Sequence, residues 1–242
     1  MPEAYRRTLT ITSSDCDRFQ RLRHSALFSI LQEVSIRDVE RGGLTRDKTL
    51  DRGMLWVISR MKITMERPIR YGETITVLTA PGDRMHMVFP RFYRIEDAEG
   101  EVILRGSALW TLIRADTRTP ISPEAENIEI PGVEGSERIG LPMGLKPVLS
   151  DTPASIRTAL FSDIDLNGHM NNTRYLDWMD DLFDLHFHEV TKIEAIQINY
   201  IHEVEYEDRI SLYYEYSDGH YRIEGKTEEH SIFAADFQVH KP

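Results

Sequence analysis

A short motif that occurs twice constrains this chain more than any other feature. Residues 14–34 read SDCDRFQRLRHSALFSILQEV and residues 162–182 read SDIDLNGHMNNTRYLDWMDDL, so Ser-Asp-x-Asp recurs after 148 residues. Apolar residues follow each motif at helical spacing, which predicts a helix with one buried face in both places. These residues are Leu27, Ile30, Leu31 and Val34 in the first helix and Tyr175, Leu176, Met179, Leu182 and Phe183 in the second.

The segments that follow each helix also match between the two halves. Long strands are predicted at 54–66 and 193–205, and further strands at 86–96, 101–114, 219–226 and 230–239. Each half therefore reads as strand, helix and four strands, and the turns at 98–100 and 217–219 separate hairpin strands. An antiparallel sheet with one apolar face covers the apolar face of a helix. The predicted fold is α+β, a tandem hotdog in which each curved antiparallel sheet wraps around a central helix.

This repeat divides the chain into two units. We expect an N-terminal hotdog at 1–118, a linker rich in Pro, Gly and Glu at 119–152, and a C-terminal hotdog at 153–242. Such units commonly pair, so a duplicated chain is expected to pair internally. A homodimer of tandem chains is a further prediction.

Composition excludes several classes of function. A chain with 40% hydrophobic and 29% charged residues is typical of globular proteins, and no apolar run approaches the ~20 residues of a membrane span. The net charge of −11 argues against nucleic acid as a partner. The sequence has no zinc-type Cys/His spacing, Walker loop or GxGxxG, so we expect neither a metal nor a cofactor. One cysteine and no signal-peptide pattern at the N-terminus predict a cytoplasmic protein.

The two copies differ where chemistry could occur. Asp165, Asn167 and His169 lie on alternate positions, so in an extended segment their side chains project to one side. The first copy has Phe19 and Arg21 in place of the amide and the imidazole, which favours a function in the second copy. The N–H groups at the start of the following helix, near Asn171 or Asn172, could polarise a carbonyl oxygen. Helix capping is the alternative, and it is favoured for Asp163 and Asn172.

Glu203 is a second candidate, on the predicted strand 193–205 in NYIHEVEYED. A carboxylate held among apolar neighbours binds a proton more tightly and can act as a general base near neutral pH. Glu205 and Glu207 lie close by, so a surface glutamate at the strand edge is an open alternative.

Taken together, these motifs resemble the acyl-acyl-carrier-protein (acyl-ACP) thioesterase family, over nearly the whole chain. The family pattern Asp-x-Asn-x-His-x-Asn-Asn is matched by DLNGHMNN at 165–172. LWVISRM at 55–61 and WTLIRADTRTPISP at 110–123 resemble further family segments, and Tyr200-Ile201-His202-Glu203 matches the segment with the family's catalytic acid. The family has a cysteine at the next position, where this chain has Val204, so a cysteine nucleophile at that position is impossible here.

The resemblance implies hydrolysis of fatty acyl-ACP by directly activated water, which would terminate fatty acid synthesis. Glu203 would take a proton from the water, Asn167 and His169 would orient the reactants, and Asp165 would fix the Asn or the His. His169 could instead be the base, with Asp165 acting on it. An acyl-CoA thioesterase, a non-catalytic acyl-carrier binding protein and a hotdog dehydratase are the alternative functions.

The resemblance also implies an acyl tunnel in the first unit and an acyl carrier protein as partner. The residues expected to line the tunnel are Leu27, Ile30, Leu31, Met54, Trp56, Ile58, Met61 and Met87. Residues 1–120 carry 20 Lys and Arg against 16 Asp and Glu, so this half has a net charge of +4 within an acidic chain. Candidates for docking an acidic carrier are Arg18, Arg21, Arg60 and Arg67.

Overall fold

The computed structural model describes residues 3–133 and 139–240, in which ten strands form one antiparallel sheet. The strands are β1 Tyr5–Thr10, β2 Met54–Met65, β3 Thr74–Pro81, β4 Val88–Glu96, β5 Val102–Arg114, β6 Ser155–Thr158, β7 Lys192–Tyr200, β8 Arg209–Ser217, β9 His220–Lys226 and β10 Ser231–His240. The helices are α1 His24–Arg41, α2 Arg46–Asp51, α3 Arg174–Asp180 and α4 Leu185–Val190. The prediction of helices with a large antiparallel sheet is confirmed.

The order of the strands repeats on either side of the sheet's centre. From the centre outward, the order is β2-β5-β4-β3-β1 on one side and β7-β10-β9-β8-β6 on the other. The central strands β2 and β7 pair antiparallel, from Arg60 opposite Asn199 to Thr64 opposite Ala195. Each half thereby covers the other's edge strand, whose unpaired backbone groups would otherwise be exposed.

Helix α1 has the buried face that its sequence predicts. Leu27, Leu31 and Val34 are at most 2% exposed, and Phe28 is buried beside them. The helix packs on β1 and β3 and meets α3. Full burial of side chains of this size contributes about 1.5–3 kcal/mol each to folding.

The second helix is shorter than its sequence predicts. The sequence predicts one helix that begins near Asn171 or Asn172 and continues through Leu182 and Phe183, whereas α3 spans only Arg174–Asp180. The Asp184 carboxylate accepts a hydrogen bond from Phe187 N at 2.8 Å and so caps a separate helix, α4. Capping by Asp184 competes with continuation of α3, and Leu182 and Phe183 fall between the two helices.

Strand β7 also ends earlier than expected, at Tyr200 instead of residue 205. The N–H groups of Ile201 and His202 both donate to Ile232 O, which breaks the regular ladder with β10. Glu203 therefore lies on a loop and not on a strand. The other strands named in the sequence analysis begin and end within two residues of their predicted positions.

The described part of the predicted linker crosses one face of the sheet. Met143 O accepts hydrogen bonds from the side chains of Gln197 and Asn199 on β7, at 2.7 and 3.0 Å. Further along, Val148 N donates to the Glu224 carboxylate on β9 at 2.8 Å. Residues 134–138 of this linker lie outside the described residues. No helix within 3–133 and 139–240 is both long and apolar enough to cross a membrane.

Candidate active site

Residues 13–23 and 161–171, here called the first and second motif loops, have the same backbone hydrogen bonds. In the first loop the bonds are Asp17 N to Arg21 O, Gln20 N to Asp17 O, Leu22 N to Ile69 O and Arg23 N to Asp15 O. In the second loop the matching bonds, in the same order, are Asp165 N to His169 O, Gly168 N to Asp165 O, Met170 N to Val204 O and Asn171 N to Asp163 O. The sequence repeat is therefore also a repeat of loop geometry. Asn167 takes the place of Phe19, and His169 takes the place of Arg21.

The second motif loop brings His169 and Glu203 together. Met170 N donates to Val204 O at 2.8 Å, and the residues that precede this pair are His169 and Glu203. His169 Nε2 lies 3.7 Å from Glu203 Oε2. Asp165 Oδ1 accepts the backbone N–H of Asn167 at 2.7 Å, so the aspartate holds the loop backbone that carries the amide.

The surroundings of Glu203 differ from those expected. Its side chain is 39% exposed, and its Oε2 lies 3.0 Å from Arg118 Nε. The prediction of a carboxylate held among apolar neighbours is wrong, because β7 ends before Glu203 and the loop turns toward solvent. Glu205 Oε1 lies 3.9 Å from His169 Nε2, and its side chain is 76% exposed.

Two arginines from the N-terminal half reach this site, and the sequence analysis missed both. Arg118 Nη2 lies 2.6 Å from His169 Nδ1. Arg46 Nη2 donates to Asn167 Oδ1 at 2.9 Å. Because Arg46 engages the amide oxygen, the amide nitrogen Nδ2 keeps both of its donors for other partners. The only sequence signal was the DTRTP turn that contains Arg118, and a turn does not show which distant loop it touches.

Aromatic rings pack around Tyr175, whose phenol is close enough to be affected by the charge of Glu203. Tyr175 is 3% exposed and packs against Tyr200 and Phe233, with ring centroids 5.7 and 5.0 Å away. Burial raises the pKa of Tyr175, and the negative charge of Glu203 raises it further. The Tyr175 phenol therefore stays protonated and neutral at ordinary pH.

Two N–H groups at the start of α3, where we expect donors for a carbonyl oxygen, already have partners. Thr173 N donates to Asn171 Oδ1 and Arg174 N donates to Asn171 O, both at 2.9 Å. Asn171, and not Asn172, accepts these two hydrogen bonds. Polarisation of a carbonyl by other N–H groups at the start of this helix stays a prediction.

A cavity of about 160 Å³ lies between α1, α2 and the sheet of the N-terminal half and reaches the second motif loop. The loop contributes Asp165, Leu166, Asn167 and Asn171 to its wall. The apolar wall residues are Ile36, Val39, Leu44, Leu55, Trp56, Phe89, Trp110 and Ile130. The cavity is thus apolar along much of its wall, and Asn167 is one of its polar wall residues.

Of the eight predicted tunnel residues, Trp56 lines this cavity and the other seven do not. Leu27, Leu31, Met54, Ile58 and Met61 are at most 5% exposed and pack in the core. Ile30 packs against that core, and Met87 lies in the turn before β4. The wall is built from the C-terminal half of α1, which contributes Ile36 and Val39, and from Leu55 and Trp56 at the start of β2.

The predicted docking arginines are partly engaged by acidic residues of the chain itself. Arg21 pairs with Asp17 at 2.9 Å, and Arg67 pairs with Glu73 at 2.9 Å. Arg18 is exposed, and Arg60 lies on β2 where it pairs with β7. Docking of a carrier by these four residues stays a prediction.

No cysteine stands near the reaction centre in the described ranges 3–133 and 139–240. Val204, at the position where the resembled family has a cysteine, is 0% exposed. Cys16 is buried in the first motif loop. Burial raises the pKa of its thiol, and the Asp15 and Asp17 charges raise it further, which disfavours the reactive thiolate.

Two family profiles match the sequence, the acyl-ACP thioesterase N-terminal domain over residues 2–130 and the acyl-ACP thioesterase C-terminal domain over residues 152–240. The chain belongs to the acyl-ACP thioesterase family. Among curated members of this family, a chloroplastic acyl-[acyl-carrier-protein] hydrolase of Cuphea viscosissima is 26% identical over 189 residues, which are 73% of this chain and 46% of that protein. A dodecanoyl-[acyl-carrier-protein] hydrolase of Cinnamomum camphora is 26% identical over 204 residues, 75% of this chain and 53% of that protein. The chain spans about half the length of the curated thioesterases it matches.

Solved thioesterase structures share the fold. An acyl-ACP thioesterase from Bacteroides thetaiotaomicron superposes with a TM-score of 0.83 at 22% identity, covering 98% of both chains. The 12:0-ACP thioesterase from Umbellularia californica has a TM-score of 0.83 at 20% identity, covering 99% of this chain and 98% of the other. At these identities the similarity shows the fold.

Proposed function

We propose that this chain hydrolyses fatty acyl-ACP thioesters to free fatty acid and acyl carrier protein, the step that ends fatty acid synthesis on the carrier. The observation that carries the proposal is the 3.7 Å approach of Glu203 Oε2 to His169 Nε2, where His169 lies on the same motif loop as Asn167, which lines the cavity. Membership of the acyl-ACP thioesterase family supports the same activity.

The chemistry follows from these groups. A water molecule attacks the thioester carbonyl carbon while Glu203 accepts a proton from it, so a C–O bond forms and a negative charge develops on the carbonyl oxygen. The free N–H donors of the Asn167 amide, whose oxygen Arg46 holds, stabilise this charge together with His169. The C–S bond then breaks, and the departing thiolate receives the proton from Glu203.

This assignment needs no covalent acyl-enzyme. Val204 has no nucleophile, and Cys16 is buried in the other motif loop. A thiolate leaves readily, so the main requirements are a base for water and donors for the oxyanion. Glu203 is the proposed base, and Asp165 acts by holding the backbone of Asn167.

The fold is proposed to be a tandem hotdog. The N-terminal hotdog would span 1–118 and hold the acyl chain, the linker would span 119–152, and the C-terminal hotdog would span 153–242 and supply Asp165, Asn167, His169 and Glu203. The mirrored strand order and the crossing of the sheet by the linker support this division. Pairing of two such chains into a homodimer is a prediction for solution measurements.

The test is a panel of saturated acyl groups from short to long, each offered on acyl carrier protein and on coenzyme A. Free thiol and free acid are measured together. Release of equal amounts of both, faster from the carrier protein than from coenzyme A, supports the proposal. Preference for coenzyme A identifies an acyl-CoA thioesterase, and binding of the acyl carrier without acid release identifies a non-catalytic binding protein.

A further inference from the structure

Arg118 belongs to the N-terminal half and yet touches two of the proposed catalytic residues of the other half. It follows β5 in the Asp116-Thr117-Arg118 turn. Its Nη2 lies 2.6 Å from His169 Nδ1, and its Nε lies 3.0 Å from Glu203 Oε2. One planar guanidinium group therefore contacts the imidazole and the carboxylate at once.

The contacts of the imidazole hold the ring between the two halves. Arg118 Nη2 lies 2.6 Å from His169 Nδ1 and 3.4 Å from His169 Nε2, so the guanidinium group faces the ring and not the lone pair of one nitrogen. Nδ1 also lies 3.0 Å from Asn167 O, an acceptor for a protonated Nδ1. The backbone of the second motif loop therefore contacts the ring on one side, and the arginine contacts it on the other.

The contact with Glu203 has a separate consequence. A guanidinium nitrogen 3.0 Å from a carboxylate oxygen makes a charge-assisted contact. The side chain of Glu203 is 39% exposed, so this ion pair restricts where its oxygens point. Glu205 is 76% exposed and approaches His169 only to 3.9 Å.

The backbone of Arg118 has a strained conformation, and the contacts of its side chain explain why an arginine occupies this position. Its φ of +58° lies in the left-handed region, which Gly and Asn adopt more easily than Arg. The turn itself is closed by main-chain bonds, Arg118 N to Arg114 O at 3.1 Å and Arg114 N to Thr119 O at 2.8 Å. The turn therefore does not need an arginine, whereas the site on the other half uses one.

We propose that Arg118 is a positioning residue that holds the His169 ring and the Glu203 carboxylate in place beside each other. The inference rests on the proposed hydrolase function. Glu203 is then placed to accept the proton of the attacking water, with His169 beside it. The N-terminal half thus completes the active site of the C-terminal half.

The kinetic test compares Arg118→Asn and Arg118→Lys with Arg114→Met, a matched control that removes an arginine paired with Glu126 next to the same turn. Asn suits the left-handed backbone, so we expect Arg118→Asn to fold normally and to lose about a hundredfold in kcat with KM nearly unchanged. Lysine has one ammonium group and cannot contact His169 and Glu203 at once as the planar guanidinium group does, so we expect about a tenfold loss in kcat for Arg118→Lys. Near-normal kcat in both Arg118 variants overturns the inference.

A second test does not depend on activity. Nitrogen chemical shifts of the His169 ring, assigned by comparison with His169→Gln, report the surroundings of the imidazole. We expect these shifts to change in Arg118→Asn and to keep their wild-type values in Arg114→Met. Unchanged His169 shifts in Arg118→Asn overturn the inference even if the wild type is a thioesterase. A wild type that releases no thiol from any acyl carrier overturns the proposed function, while the shifts still decide the role of Arg118.

Discussion

The two motif loops share a backbone and differ in what they present. In the first loop, Arg21 bonds the Asp17 carboxylate and donates to His188 O at 2.8 Å. In the second loop, the residue at the same position is His169, which meets Glu203. The first loop's arginine bonds a carboxylate and a carbonyl that stabilise the fold, while the second loop's imidazole lies beside the Glu203 carboxylate.

The segment that each motif loop bonds differs in the same way. Leu22 N bonds Ile69 O in the first half, and Met170 N bonds Val204 O in the second, both at 2.8 Å. The residue before Ile69 is Pro68, so the counterpart of Glu203 has neither a proton acceptor nor an N–H group. The two motif loops therefore share a backbone conformation, and a few side chains make the second copy reactive.

The largest expected effect comes from removing the base. Glu203→Gln keeps the size of the side chain but cannot accept a proton, so we expect kcat to fall by about 10²–10⁴-fold with little change in KM. The matched control is Glu205→Gln, the neighbouring and more exposed carboxylate, which should change kcat by less than about threefold. Steady-state kinetics on acyl-ACP checks both. Equal losses in the two variants would remove the distinction between these carboxylates.

A smaller effect is expected from the arginine that orients the amide. Arg46→Met removes the donor to Asn167 Oδ1, so the amide can rotate away from the oxyanion, and we expect about a tenfold loss in kcat. Arg37→Met on α1 is the control, because Arg37 pairs only with Glu33 and Glu40 among the described residues, on the helix surface. Stopped-flow measurement of thiol release separates this step from carrier binding. Arg46→Met with the rate of the control would contradict the orienting role.

The backbone match between the loops has its own test. Gly168 has a φ of +81° and Gln20, at the matching position, has +59°. No heavy atom beyond Gly168 and its two chain neighbours lies within 4 Å of the position that a Cβ on Gly168 would occupy. Gly168→Gln should therefore be accommodated, and the left-handed backbone should lower the free energy of unfolding by about 1 kcal/mol. For a chain of this size that lowers the midpoint of thermal unfolding by about 2–4 °C. Failure of the variant to fold would show that the two loops are less equivalent than their hydrogen bonds indicate.

The smallest effect concerns His24, which stands where the second copy has Asn172. Burial opposes protonation of His24, but Asp180, 2.9 Å from its Nδ1, more than offsets this and raises the pKa. Nearby Arg21 lowers the pKa and Asp17 raises it. A raised pKa in the folded state gives stability that is fully present below the unfolded value near 6.5 and is lost as pH rises through the folded value.

We therefore expect the difference in unfolding midpoint between wild type and His24→Gln to be larger at about pH 5.5 than at about pH 9. Differential scanning calorimetry at both pH values measures it. A difference that is constant or grows with pH would contradict an ion pair between α1 and α3. We expect His24→Gln to leave the rate of acyl-ACP hydrolysis unchanged, because His24 is not part of the second motif loop.

The repeat and the succession of strands and helices along the chain could be predicted because they depend on periodicity and on a short contiguous pattern. The bounds of α3 and β7 could not, because they depend on capping by Asp184 and on a distant carbonyl, Ile232 O. For the same reason Glu203 was placed on a strand among apolar neighbours. The arginines at positions 46 and 118 were missed since only the folded chain brings the two halves into contact. The cavity wall was placed too deep in the core because apolar periodicity does not distinguish core from lining.

The most direct test of the account converts the second motif loop into the first. The fourfold variant Leu166→Arg, Asn167→Phe, Gly168→Gln and His169→Arg gives the second loop the side chains of residues 18–21, and Asp165 remains to bind the new guanidinium as Asp17 binds Arg21. We predict a folded protein, with its unfolding midpoint lowered by about 2–8 °C, whose acyl-ACP hydrolysis is at least about 10³-fold slower than that of the wild type. Hydrolysis within tenfold of the wild-type rate would contradict the claim that these side chains, and not the shared loop, perform the reaction.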